Sequence, residues 1–141
     1  MAKKKSDRTA VSPPKTITLV VCDSVSMDPN TSKPTLYGLF DIMWASKFPS
    51  RHRSFALFAK LVGSGEYPIS IHLVDPRGED KKLGETTIKL RPKERGVIQA
   101  DLGGVEFRRA GTYEFVLRTG RRIVGRTSFE VKRKAPTRQK K

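Results

Sequence analysis

Few residues in this chain are suited to acid–base, nucleophilic or metal chemistry: it has two histidines and one cysteine. Acyl transfer needs a serine held by a histidine that a carboxylate orients. Ser64 sits in Gly63-Ser64-Gly65-Glu66, which lacks the fifth-position glycine of a nucleophile elbow and reads as a turn. His52 lies inside Arg51-His52-Arg53 and His72 between Ile71 and Leu73, and neither has a partner close in sequence. Cys22 beside Asp23 has no activating cation in view and reads as an inert core thiol. Asp23, Asp28, Asn30 and Asp41 are oxygen ligands of the kind hard cations take, yet their spacing matches no calcium loop, and Asp28 and Asn30 are turn formers. These residues predict no catalytic site, no cofactor, no metal and no small-molecule substrate.

The stronger chemical signal is positive charge. The formal charge is +15, from 29 Lys and Arg against 14 Asp and Glu. Residues 1–15 carry Lys3, Lys4, Lys5, Arg8 and Lys15 against Asp7, and residues 132–141 carry six cations and no acid. Two thirds of the excess therefore lies on ends with little apolar surface to bury. Arg108 and Arg109 precede one apolar run, Arg118, Arg121, Arg122 and Arg126 surround the last two, and Lys132, Arg133 and Lys134 follow. Aligned on one face, these nine residues would form a stripe that phosphate backbones reward through counterion release.

The elements that must position these groups are strands. In Gly111–Leu117, Tyr113, Phe115 and Leu117 alternate with Glu114 and Val116, the period of a half-buried strand. Arg122–Val131 is extended in the same way, so the two runs predict a closing hairpin. Thr16–Cys22 and Thr35–Ala45 read as buried strands, the second with a bulge at Gly38 and a short helix over Ile42–Ala45 as its alternative. Ser54–Val62 and Tyr67–Val74 flank Gly63-Ser64-Gly65 and predict an antiparallel hairpin. Leu83–Leu90, Val97–Leu102 and Val105–Phe107 bring the strands to about eight or nine, and no stretch carries a convincing helical period. Asp28–Pro34 is a turn-rich loop. The expectation is one all-β sandwich domain over residues 15–131, with disordered basic arms at 1–14 and 132–141.

Gly111-Thr112-Tyr113-Glu114-Phe115 resembles the Gly-x-Tyr-x-Cys segment of immunoglobulin-like domains, with Phe115 where the disulfide cysteine would stand and Tyr113 as candidate for the corner tyrosine. Val21-Cys22-Asp23-Ser24-Val25, Leu36-Tyr37-Gly38-Leu39-Phe40-Asp41 and Phe48-Pro49 resemble segments of a bacterial family of small single-domain proteins of unknown function. That resemblance spans most of residues 17–131, implies the sandwich fold and a cytoplasmic setting, and carries over no catalytic residue. A single cysteine points the same way, toward a reducing compartment. No apolar h-region follows the N-terminal lysines, and no run approaches the ~20 apolar residues of a membrane span. The expected function is non-enzymatic binding or scaffolding of an unknown protein partner, through the loop 26–34 or the Arg-rich closing hairpin. The alternative is binding of nucleic acid or another polyanion by the arms and that hairpin.

Overall fold

The computed structural model describes residues 12–52 and 54–134. Of the two predicted arms, residues 1–11 and 135–141 lie outside the described part. Among the described residues there are eleven strands: β1 (Lys15–Met27), β2 (Pro34–Leu39), β3 (Ile42–Ala45), β4 (Ser50–Arg51), β5 (Ser54–Val62), β6 (Gly65–Val74), β7 (Asp80–Leu90), β8 (Arg95–Gly103), β9 (Glu106–Phe107), β10 (Gly111–Thr119) and β11 (Arg122–Arg133). Nine of them make two facing sheets, in the orders β2-β1-β5-β8 and β3-β11-β10-β6-β7, and β4 pairs with β9. All neighbours are antiparallel except β3, which runs parallel to β11. This is an immunoglobulin-like β-sandwich.

Alternation decides what each strand buries. Phe55, Leu57, Ala59 and Leu61 of β5 turn inward to meet Tyr113, Phe115 and Leu117 of β10 and Phe129 and Val131 of β11 in one core. Phe55 and Phe115, on opposite sheets, have ring centroids 5.9 Å apart, so aromatic packing joins the layers where immunoglobulin domains carry a disulfide. Phe107 and Phe129 complete the cluster at 6.2 Å from Phe55 and 5.4 Å from Phe115 respectively. Such rings each remove 150–250 Å² from water, and truncating one to alanine costs roughly 3–5 kcal/mol.

Two sequence expectations about connectivity are corrected. The run 54–62 and the run 67–74 are not a hairpin: β5 lies in the first sheet and β6 in the second. Both edges of β5 are already taken by β1 and β8, so Gly63–Gly65 instead carries the chain across to the other layer. The Tyr67 hydroxyl holds that crossing, 2.8 Å from the Ser12 carbonyl oxygen and 2.9 Å from that of Ser64. Residues 35–45 are not one buried strand, nor does Ile42–Ala45 form a helix. The chain leaves the first sheet after Leu39 and joins the second at Ile42, fastened by Phe40 N donating to Val21 O (3.3 Å) and Glu130 N to Asp41 O (2.8 Å). The predicted closing hairpin is present as β10–β11, paired from Gly111 opposite Val131 to its turn, and strand β11 runs on through Lys132 and Arg133, which pair with β3 and which composition alone assigned to the tail.

Candidate protein-docking surface

The crossover from β2 to β3 turns four large apolar side chains outward. β2 and β3 are the terminal strands of the two sheets, on the same side of the sandwich. Met43 and Ala45 enter the core, so the alternate residues Ile42 and Trp44 must face out. On β2, Tyr37 and Leu39 lie opposite Ser24 and Cys22 of β1, on the outer face of the first sheet. Leu39 is 61% exposed, Trp44 58%, Tyr37 52% and Ile42 38%. Leu39, Ile42 and Trp44 line one shallow hollow with Asp23, Gly38 and His52. Scattered exposed apolar residues are ordinary, but several around one hollow at the rim of two sheets make the contiguous patch that marks an interaction surface. The sequence does not single them out, because alternation shows which residues share a face but not which face is covered, and 35–45 reads as buried throughout.

The cations of the expected stripe fall into three groups. Arg108, Arg109, Arg118 and Arg126 lie beside carboxylates, namely Glu106 (3.9 Å), Asp75 (3.1 Å), Asp80 (2.9 Å) and Glu114 (3.8 Å). Arg121 and Arg122 stand at the β10–β11 turn, while Lys132, Arg133 and Lys134 stand at the far end of β11. At ~3.3 Å per residue the two ends are roughly 35 Å apart. The nine residues therefore do not assemble one continuous basic stripe. At the far end Lys132 Nζ lies 5.8 Å from the Trp44 ring centroid, and the Arg133 guanidinium lies 5.3 Å from that of Phe48 and donates to Ser46 O. Lys132 borders the apolar patch, while Arg133, opposite the inward-facing Ala45, lies on the other face of β11.

The oxygen ligands of the loop region stay apart in role. Asp28 Oδ1 accepts from the backbone N–H of Asn30 (2.8 Å) and Thr31 (3.3 Å), and these bonds hold its carboxyl below the usual range, so it shapes the loop 26–34 as a turn former. Among the described residues no group of three or more His, Cys, Asp or Glu is placed to hold a metal ion. Cys22 is buried, and desolvation pushes its thiol above its ordinary value, the reverse of activation.

His72, alone in the sequence reading, has partners in space. Its Nδ1 lies 2.7 Å from Asp80 Oδ1 and its Nε2 2.9 Å from Ser70 Oγ, and Arg118 holds the other Asp80 oxygen. Atom for atom this is the hydrogen-bond chain of a serine nucleophile, but the surroundings oppose acyl transfer. Ser70 lies mid-strand between β10 and β7, opposite Arg118 and Glu85, where backbone N–H groups are engaged in the ladders and cannot form an oxyanion hole. The Glu85 carboxylate across the strand would repel a developing oxyanion. What the chain does is fix a polar lattice over the outer face of the second sheet.

Tyr113 forms the corner its motif suggested. Its hydroxyl donates to Arg109 O (2.7 Å), and Arg109 reaches Asp75 in the β6–β7 turn, joining two chain reversals at one end of the sandwich. Asp75 Oδ1 also accepts from Glu79 N (2.8 Å) and Arg77 N (2.9 Å).

No curated protein matches the chain. Among solved structures, a β-glucosidase from Listeria innocua in complex with glucose superposes with a TM-score of 0.51 at 12% identity, over 85% of this chain and 16% of that one. An immunoglobulin-like protein from Pseudomonas aeruginosa gives 0.46 at 16% identity, over 86% and 98%. A β-glucosidase from Kluyveromyces marxianus gives 0.47 at 16% identity over 67% of this chain, which spans only 15% of that enzyme. At these identities the likeness concerns the fold alone. A family model described as a family of unknown function (DUF6941) spans residues 17–132, and the chain belongs to that family.

Proposed function

We propose that this domain is a non-enzymatic binding module that docks a protein partner at the edge formed by β2 and β3. The observation that carries this reading is the exposure of Leu39, Ile42 and Trp44 around one hollow. Large apolar and aromatic side chains held on rigid strands are what the centre of a protein interface requires, and a tryptophan is the residue type that most often dominates one. The non-enzymatic part rests on the setting of Ser70, whose neighbours supply no oxyanion donor and one opposing carboxylate. We place the module in the cytoplasm, on its single unpaired cysteine. The test is a photo-crosslinking amino acid put in place of Trp44 or Leu39, and of Lys89 on β7 as a control, in the cells that make the protein. Discrete adducts should come from positions 44 and 39, vanish with Ile42→Asp, and be absent from position 89. Adducts equally abundant at 89, or none at 44 and 39, would end this reading.

A second reading, binding of a polyanion such as nucleic acid, draws on one observation: Trp44, an exposed aromatic ring, stands beside Lys132, next to where the basic C-terminal residues begin. Base stacking on such rings combined with phosphate contacts is how single strands are held without sequence preference. Gel shifts with the full chain at two ionic strengths decide it, since retention absent even at low salt removes it.

A further inference from the structure

Resting on the docking reading above, we infer that the partner contributes an extended, acidic–apolar segment that adds to β3 as a further strand of the second sheet. β3 pairs with β11 on one side and is terminal on the other. The carbonyls of Asp41 and Ala45 accept from Glu130 N and Lys134 N and so face β11. In a parallel ladder the alternate residues turn the opposite way. Ile42 and Trp44 therefore present both backbone N–H and C=O to the open edge, a two-residue template for strand addition, with their side chains on the same outward face. In this mode main-chain bonds give affinity and side-chain sites give preference. The exposed aliphatic surface of Leu39 and Ile42 and these backbone groups suit a peptide better than a nucleic acid, which has no extended peptide backbone to pair with them.

Charge sets the partner's sign. Lys132 and Arg133 stand on β11 beside the edge strand β3 with no carboxylate within 4.0 Å among the described residues, whereas Arg108, Arg109, Arg118 and Arg126 each have one. Past Lys134 the sequence adds Arg138, Lys140 and Lys141 and no acid. Asp23, Asp41 and Glu130, the last directly opposite Ile42, oppose this excess, and Lys47 and Lys134 beside Ala45 bring the cations next to β3 to four against these three. Lys132 shares the outward face of Trp44 and Arg133 the opposite face, with Ala45, so a segment with Asp or Glu alternating with apolar residues would place its apolar side chains on Ile42 and Trp44, its alternate carboxylates on the face of Arg133, and a carboxylate just past Trp44 within reach of Lys132.

The experiment is selection from a displayed library of random 12-residue peptides on the full-length protein, followed by titration of the selected peptides and of a 20-nucleotide oligo-dT. Trp44 is the single tryptophan, so its emission reports occupancy at the site directly. Expected are sequences enriched in Asp or Glu alternating with apolar residues, a blue shift of Trp44 emission on binding, and at least tenfold weaker binding by K132E/R133E. Ile42→Pro should weaken binding by a further tenfold relative to Ile42→Ala, because proline removes the N–H aimed at the open edge while leaving the β11 ladder intact. Unchanged thermal melting of both variants guards against misfolding. Peptides without acidic enrichment, equal binding by the Pro and Ala variants, no selected peptide, or oligo-dT binding more tightly than any peptide would each overturn the inference. Crosslinks at 44 combined with any of these outcomes would leave the docking surface standing and remove only strand addition.

Discussion

A single hydroxyl and a single carboxylate hold one end of this sandwich. Tyr113→Phe removes the proton donated to Arg109 O and leaves a half-buried carbonyl short of a partner, so urea unfolding should show a loss of about 1 kcal/mol with an unchanged denaturant slope. Asp75 is the pH-sensitive member of the same corner. The backbone bond from Glu79 N above all, opposed by desolvation and aided by the bond from Arg77 N and the nearby Arg109 charge, holds its carboxyl below the ordinary value. A carboxyl depressed in the folded state stabilises above its unfolded pKa of about 4 and loses that contribution as pH falls through the folded value. Melting temperatures from pH 6 to pH 2 should therefore fall less steeply for Asp75→Asn than for the parent, with the variant lower at neutral pH. Parallel curves would show that Asp75 makes no such contribution.

The elements divide into those that bury and those that present. Phe107 is wholly buried among Phe55, Tyr113 and Phe129, so Phe107→Ala should cost roughly 3–5 kcal/mol in equilibrium unfolding. Trp44→Ala, on the presenting strand β3, should stay within about 1 kcal/mol of the parent, its loss limited to the Lys132 contact. Between them lies Gly38, at φ +69°, whose added Cβ would fall 2.2 Å from Asp23 Oδ2. Gly38→Ala should destabilise by about 1–3 kcal/mol, through the left-handed backbone and the displaced Asp23, and should disturb the hollow along with it. A variant as stable as the parent would mean that β2 can shift away from β1 at little cost.

For the whole molecule the question is how much its charge governs. Four arginines of the body lie beside carboxylates, leaving the positive excess mainly at the two ends of β11 and on the terminal segments. Any affinity for polyanions should then fall steeply between 50 and 200 mM salt and drop at least tenfold on trimming to residues 12–134, while R118Q and R126Q change it little. Anisotropy with a labelled oligonucleotide measures all three. A sensitivity to R118Q as large as to trimming would restore the continuous stripe that the geometry divides.

The sequence alone determined the strand-rich fold, the corner at Tyr113, the inward side chains of β10, and the concentration of charge at the ends, while both faces of β5 read alike as apolar. Each of these follows from a local rule: a period of two, a turn composition, a count. Only the tertiary structure decided that β5 and β6 belong to different layers, that residues 35–45 divide between both, and hence that Phe40 and Met43 are covered while Leu39 and Trp44 are not. It also brought Asp80 to His72 and Arg118, and Asp75 to Arg109, across separations of 8 to 38 residues. The physical reason is common to all of them. Alternation sorts side chains onto two faces of a strand, but whether a face is dry depends on what packs over it, and that is settled only when the layers close.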